Sequence, residues 1–464
     1  MTYSDKKVSN IKIAYLGGGS RGWAWGLMSD LVSCDDISGD VYLYDIDFPA
    51  AQNNEIIGEK FNNAEGAKSI WHYHAVETIE EALDKADFIV ISIQPATFDE
   101  MYSDVHTPEK YGIYQSVGDT TGPGGIVRAM RTIPMYEYFA KKIEECCPNA
   151  WVINYTNPMT LCVKTLYRVF PKIKAFGCCH EVFGTQKVLS FALDKVLGIK
   201  DIPREEIRVN PIAVNHFTWI TKAKYRNIDL FPVYEKFVEM YADNGYDEHV
   251  DQNWMNRGFH SKERIKMDLF RRYGYIAAAG DRHLAEFCPG KWYLENPQKV
   301  KEWGFGLTTV DYRKQQLKER LERGENLASG KEEVKIEQTG EEGVNQIRAL
   351  LGLCELVTNV NIPNSGQIPN LPTDAIVETN AVFSDDNVTP VFSGEIPAPI
   401  YPLVSRICAE QEEVSEGIAQ RDLTRIFNAF ANDPLTTCSY DEAKLLFKEM
   451  IENTKEYLTM YNIE

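Results

Sequence analysis

The sequence predicts an α/β protein whose N-terminal part builds a parallel sheet and whose C-terminal part forms a second, α+β domain. Three observations carry this. From Ile11 to about residue 180, short apolar strands alternate with amphipathic helices. A glycine-rich turn joins the first of these strands to the first helix, and after about residue 205 the alternation gives way to a different pattern. With 464 residues, 44% of them hydrophobic, the chain can bury two cores, because domains commonly span roughly 100–200 residues. The expected units are 1–205 and 206–464.

Taken in order, Ile11–Leu16 reads as a buried strand, Trp23 to about Ser33 as a helix and Val41–Asp45 as a second strand. A helix over Ala50–Asn63, a short helix in EEALDKA and a buried strand from Asp87 to Ile93 extend the parallel pattern. The polar loop GDTTGPGG, from Gly118 to Gly125, feeds a helix that runs to about Glu145. AWVINYTNP and IKAFGCCHE supply two further strands, the last ending near Cys179. The second domain holds strands in IRVNPIAVNHFTWITKAKY, the charged helix VDYRKQQLKERLERG and the β-rich stretch NIPNSGQIPNLPTDAIVETNAVF. Arg323–Gly343 is rich in Gly, Lys and Glu without apolar periodicity, so an exposed loop or mobile insertion is expected there.

Charge narrows the partners. The net charge of −19, from 68 acidic and 49 basic residues, repels phosphate backbones and anionic lipid, so neither nucleic acid nor a membrane is an expected partner. Residues 1–10 are polar, and no run of about eighteen apolar residues occurs. A cytoplasmic protein is expected, and its ten cysteines fit reduced thiols better than a disulfide framework.

Gly17, Gly19 and Gly22 stand at the G-x-G-x-x-G spacing between a strand and a helix, with Gly18 and Ser20 in the same turn. Backbone amides and the helix N-terminus there suit a pyrophosphate. Asp45 closes the second strand roughly twenty residues further on, placed to accept from the adenine ribose hydroxyls and to repel a 2′-phosphate. Together they read as a Rossmann-type site that prefers NAD to NADP.

Cys179 and His180 lie at the C-terminal end of a parallel strand, the edge where such folds bind ligands. A thiolate and an imidazole suit a divalent transition metal, and His216 offers a second imidazole at the start of the next domain. Singly, each is as readily a buried thiol or a satisfied core histidine. Their combination favours a metal site with positions left open for substrate.

GGGS at Gly17, GDTTGPGGIVRAMRT from Gly118, NYTNP from Asn154, GCCHE from Gly177 and NHFTW from Asn215 resemble glycoside hydrolase family 4, the NAD- and metal-dependent glycosidases. The likeness runs in order from about residue 11 to about residue 290, and the VNIPN segment from Val360 fits the family's C-terminal domain. It implies a Rossmann-type domain followed by a catalytic domain like the C-terminal one of lactate and malate dehydrogenases. It also implies a route outside two-carboxylate hydrolysis: hydride passes from sugar C3 to NAD, the ketone acidifies C2, a base takes that proton and the group at C1 leaves with acid help. Water then adds at C1, and the hydride returns.

Carried over by motif, the resemblance implies Cys179 and His216 as ligands of Mn²⁺, Asn157 as a sugar-binding residue and His180 as general acid. Family members use an aspartate or a tyrosine as base within the region corresponding to Tyr273–Phe287. Asp281 is the choice here, flanked by Gly280, Arg282 and His283, with Tyr273 and Tyr275 in reserve. Asp119 is expected to bind substrate or a metal-bound water. Members acting on 6-phosphorylated sugars carry Asp or Asn directly after the cysteine, whereas His180 matches those acting on unphosphorylated α-glycosides. Cys-His-Glu-Val at Cys179–Val182 is most similar to the branch acting on α-linked uronic acids, galacturonides above all, with α-glucosides, α-glucuronides and α-galactosides as alternatives. A uronate carboxylate suits an arginine fork, for which Arg128, Arg131 and Arg282 are candidates. The resemblance further implies a homodimer or homotetramer acting on a small oligosaccharide or glycoside.

Two other classes fit parts of the sequence. A lactate- or malate-dehydrogenase-like oxidoreductase would share the NAD site but consume the cofactor, and would show Gly-x-His with no metal-ligand cysteine. An inactive NAD sensor would need only the glycine turn.

Overall fold

The computed structural model describes residues 1–247 and 261–463. The chain opens with β1 (Thr2–Ser4), β2 (Lys7–Leu16), α1 (Trp23–Val32), β3 (Ile37–Tyr44), α2 (Phe48–Phe61), β4 (Trp71–Val76), α3 (Ile79–Leu83) and β5 (Phe88–Ile91). It continues through α4 (Phe98–His106), α5 (Gly122–Cys146), β6 (Trp151–Asn154), α6 (Met159–Val169), β7 (Lys174–Gly177) and α7 (Glu181–Leu197). Next come β8 (Ile207–Ile212), β9 (Trp219–Tyr225), β10 (Ile228–Asp229), α8 (Phe231–Tyr241), α9 (Arg264–Tyr273), β11 (Ile276–Ala277), α10 (Asp281–Phe287) and α11 (Pro297–Glu302). The last stretch holds α12 (Val310–Ser329), α13 (Gly343–Leu350), β12 (Leu356–Pro363), β13 (Ile376–Ser384), β14 (Asn387–Pro390), α14 (Tyr401–Gln420), α15 (Leu423–Asn432) and α16 (Tyr440–Asn453).

Strands β4, β3, β2, β5, β6 and β7 pair in that order, all parallel. The period of two divides their side chains between two cores: Ala14, Leu16, Ile89 and Ile91 face one, while Ile13, Tyr15, Phe88 and Val90 face the other. Because helices cover both faces, β5 reads as an unbroken apolar run, all of it buried. Side-chain caps start several of these helices, as where Thr97 and Glu100 form a capping box at the head of α4.

The expected boundary near residue 205 does not separate the sheets. Strands β12, β13 and β14 return to the first sheet as an antiparallel extension, with Asn361 beside Gly177 of β7. Strands β8, β9, β10 and β11 instead form a four-stranded antiparallel sheet, in which β9 pairs with the other three. Pairing between β7 and β12 depends on residues far apart in the chain, which local patterning does not encode.

The exposed loop expected over Arg323–Gly343 holds only in part, for residues 331–341, which form no helix or strand and are exposed or half-exposed. The first part of the segment continues α12 to Ser329, and the rest lies along α1. Val334 and Ile336 pack against the second core, Ser29 Oγ donates to Glu337 O at 2.8 Å, and Thr339 N donates to Asp30 Oδ1 at 3.1 Å. An extended segment anchored by distant partners leaves no helical period to read. Among the described residues no helix is long and apolar enough to cross a membrane, and all ten cysteines are free thiols.

Candidate active site

The carboxyl ends of the parallel strands gather the residues that carry chemistry. Gly17 follows β2, Asp45 follows β3, Asn157 lies just beyond β6, and Cys179 and His180 follow β7. This is the edge at which doubly wound sheets bind ligands.

The glycine turn is built for close backbone approach. Gly17 has φ +97°, and a Cβ there would meet Ser92 O at 2.0 Å. A Cβ on Gly18 would fall 2.7 Å from Leu43 Cα. Gly22 caps α1 without a side-chain hydrogen bond, and the first turn of that helix holds no acidic residue. Its first amides therefore have no side-chain acceptor at the cap, and the helix dipole favours an anion there. Asp45 accepts from Gly19 N and Asp47 N, both at 2.9 Å. Each oxygen keeps a lone pair for a ribose hydroxyl, and the turn fits a dinucleotide.

The polar cluster lies deeper. Ligand atoms of Asp119, His216 and His283 all fall within 4.8 Å of one another. His216, in the connection between β8 and β9, has φ +62°, a left-handed conformation uncommon outside glycine. Thr120 Oγ1 donates to Asp119 Oδ1 at 2.7 Å and lies 2.9 Å from His216 Nδ1. With its one proton so used, the hydroxyl accepts from Nδ1–H, which leaves His216 Nε2 as the lone-pair donor. Burial and then the neighbouring His283 push His216 down to about 3, so its ring is neutral.

His283 Nδ1 lies 3.0 Å from Glu181 Oε1. Burial opposes charge on His283, but Glu181 prevails and raises its pKa, while Glu181 falls well below the usual carboxylate range. Asp119 is also held low, since Arg128 and the two histidines outweigh its burial. Asn157 Nδ2 donates weakly to Asp119 Oδ2 at 3.5 Å, and Asn157 Oδ1 is buried with no hydrogen bond. Nitrogen and oxygen donors beside an orphaned amide oxygen fit a divalent transition ion.

Cys179 stands outside that trio, beside the amide of Asn215, whose chain neighbour is His216. Burial, with Glu378 and Glu181, pushes its thiol well above the ordinary range. His180 Nδ1 lies 3.2 Å from Glu341 Oε1, and its ring is 6.4 Å from that of Trp23 at the head of α1.

Asp281 begins α10 fully buried. Its Oδ1 accepts from Lys266 N at 3.1 Å, and Oδ2 has no hydrogen bond. Burial, then Glu263, pushes it up to about 7. Tyr273 packs edge-on against Trp219, and both Tyr273 and Tyr275 lie against the first core. Of the arginines, Arg131 is committed to buried Asp104. Arg128 Nε donates to Asn157 O at 3.3 Å, and Arg282 bonds Thr308 Oγ1.

His283, Glu181, Glu341 and Glu286 were not among the expected site residues. Glu286 Oε1 accepts from Val117 N and Gly118 N at 2.7 and 3.0 Å, anchoring the loop before Asp119. The offset of His283 from Asp281 in GDRHLAEF was the available signal, but it reads equally as a flank.

The architecture is of the doubly wound dinucleotide-binding class, elaborated by a second sheet that carries a histidine to its carboxyl edge. Models for the family 4 glycosyl hydrolases and for their C-terminal domain match residues 12–195 and 213–436. The chain belongs to that family. It is 60% identical to an alpha-galacturonidase of Thermoanaerobacterium saccharolyticum, with the whole of both chains covered. It is 50% identical to an alpha-galacturonidase of Bacillus subtilis, over 96% of this chain and 98% of the relative. By contrast, an alpha-galactosidase of B. subtilis is 27% identical over 95% of each chain. A crystal structure of B. subtilis lplD superposes with a TM-score of 0.90 at 50% identity, covering 96% of this chain and 100% of that one. A 6-phospho-beta glucosidase of Thermotoga maritima, solved with manganese, NAD⁺ and glucose-6-phosphate, shares the fold at 19% identity and a TM-score of 0.76, covering 96% and 99%.

Proposed function

We propose that this chain is an NAD- and Mn²⁺-dependent glycosidase that hydrolyses α-linked galacturonides. The observation that carries the substrate is the whole-length likeness to alpha-galacturonidases, far above that to an alpha-galactosidase. When bound, NAD supplies a hydride acceptor for sugar C3, and the divalent metal stabilises negative charge on the C2 and C3 oxygens.

In this reading Cys179 and His216 hold the metal, and Asp119 and His283 stand within reach of the same ion. Asn157 offers its free Oδ1 to a sugar hydroxyl or to the metal. Asp281 takes the C2 proton: a carboxylate at about 7 with one unbonded oxygen is suited to a general base near neutrality. His180 gives a proton to the departing oxygen, its ring oriented by Glu341. Gly17, Gly18, Gly19, Ser20, Gly22 and Asp45 bind the dinucleotide.

Residues 1–205 and 206–464 serve as the chain's two sequence units, near where the two family models adjoin. The enzyme works in the cytoplasm as a homodimer or homotetramer on a small glycoside. A panel of p-nitrophenyl α-galacturonide, α-glucuronide, α-glucoside and α-galactoside, assayed with NAD, Mn²⁺ and a reductant, tests it. Fastest turnover of the galacturonide is expected; preference for a neutral sugar overturns the substrate assignment.

A further inference from the structure

Glu378, on β13, is fully buried and takes no part in the hydride and proton transfers. Its carboxylate joins two segments that meet only in the folded chain. Oε1 accepts from Asn359 Nδ2 at 2.7 Å, diagonally across the β12–β13 ladder. The other proton of that amide goes to Cys179 O at 3.1 Å. Oε2 accepts from Thr218 Oγ1 at 2.5 Å. The backbone of the same residue adds a third hold, since Glu378 N donates to Ala213 O at 2.8 Å.

The segment gripped in this way, from Ala213 to Thr218, is the connection between β8 and β9 that carries His216. Two of its residues stand in left-handed backbone that is uncommon outside glycine: Ala213 has φ +133° and His216 φ +62°. Such conformations persist only where the surroundings hold them. Glu378 holds the connection at both ends, by its amide at Ala213 and by its carboxylate at Thr218.

Cys179 follows a strand of the first sheet and His216 a strand of the second, so pairing within either sheet leaves their separation open. One amide, one carboxylate and one hydroxyl bridge that gap, from the carbonyl of Cys179 to the turn that bears His216. Buried and with each carboxylate oxygen bonded, the bridge is rigid.

We propose that Glu378 is a positioning residue that sets Cys179 and His216 relative to one another and so pre-organises the divalent-metal site. This rests on the reading of those two residues as metal ligands. Residues that orient metal ligands from behind typically change metal affinity 10–100-fold. The contribution is geometric rather than one of charge, and Glu378→Gln separates the two: the amide keeps an oxygen for Asn359 and turns its N–H toward the Thr218 hydroxyl.

The experiment uses the full-length enzyme, freed of metal by a chelator and supplied with NAD, in wild-type, Glu378→Ala, Glu378→Gln and Thr218→Val forms. Each is titrated with Mn²⁺ by calorimetry and with Co²⁺ by absorption, and NAD affinity is measured alongside. Glu378→Ala is expected to weaken Mn²⁺ by about 10–100-fold and to diminish the thiolate-to-Co²⁺ charge-transfer band at saturation, with NAD affinity kept. Glu378→Gln should restore both metal readouts. Thr218→Val, which removes one arm of the bridge, should fall between and carries the test if Glu378→Ala does not fold. Wild-type Mn²⁺ affinity and an unchanged band in Glu378→Ala or Thr218→Val overturn the proposal. Loss of NAD affinity in step with Mn²⁺, or a Gln variant as impaired as Ala, overturns it too, the first as general loss of structure and the second as an effect of charge. A wild-type enzyme without the thiolate-to-Co²⁺ band sinks the metal-ligand reading itself, so the two failures are distinguishable.

Discussion

The imidazole rings of His216 and His283 stand 4.0 Å apart, centroid to centroid, although they come from different elements of the chain. One ring is kept neutral by burial, and the other is drawn toward its charged form by Glu181. With Asp119 they bring three ligand-type atoms within 4.8 Å of one another.

That contact leads to a metal-binding prediction. His283→Ala should weaken Mn²⁺ binding by roughly 10–100-fold in isothermal titration calorimetry while NAD affinity persists. Cys179→Ser should abolish Mn²⁺-dependent turnover and still bind NAD. Wild-type Mn²⁺ affinity in the first variant removes His283 from the ion's surroundings, and full activity in the second removes the thiolate.

The glycine turn predicts a steric effect on cofactor binding. Gly17→Ala puts a methyl group 2.0 Å from Ser92 O at φ +97°, so the turn must move. Thermal unfolding should shift down and NAD affinity should fall. Asp45→Ala should weaken NAD by about tenfold and narrow its advantage over NADP. Unchanged NAD binding in both variants would place the dinucleotide elsewhere.

A third prediction concerns pH. Glu410 on α14 is buried against Asp433, which accepts from Gly122 N at 2.9 Å and Thr121 Oγ1 at 3.2 Å at the head of α5. Burial, then Asp433, raises Glu410 well above its ordinary 4.5. The folded state therefore holds this proton more tightly than the unfolded one, and stability falls as pH rises above about 4.5 toward the native value. Glu410→Gln keeps a donor toward Asp433 without the titration. Its thermal midpoint should gain on the wild type as pH increases, whereas parallel curves would show that Glu410 does not titrate this way.

The buried pair of Arg131 and Asp104 gives a fourth. Asp104→Ala leaves an uncompensated guanidinium in the core and should lower stability by about 3–5 kcal/mol in urea unfolding. A loss below about 1 kcal/mol would mean that solvent reaches the site.

Much of the fold was legible because it is local. The alternation of apolar runs with helical periods, the glycine turn, Asp45, and Cys179 with His180 at a strand end all lie within single strand-turn-helix units. What was hidden depends on distant pairing. Asn361 meets Gly177 across 184 residues of sequence (361 − 177), and Glu341 reaches His180 from a segment whose extended course has no periodicity. Likewise, His283 and Glu181 become partners only when α10 packs beside the head of α7, where Gly280 N donates to Glu181 Oε2 at 2.6 Å.

The most direct test of hydrolysis by transient oxidation is turnover of p-nitrophenyl α-galacturonide in D₂O, with NAD and Mn²⁺, followed by NMR of the released sugar. Proton abstraction at C2 by Asp281 predicts deuterium at C2 of the product, with no NADH accumulating and both turnover and exchange lost in Asp281→Asn. Protium fully retained at C2, or NADH rising in step with product, would contradict it.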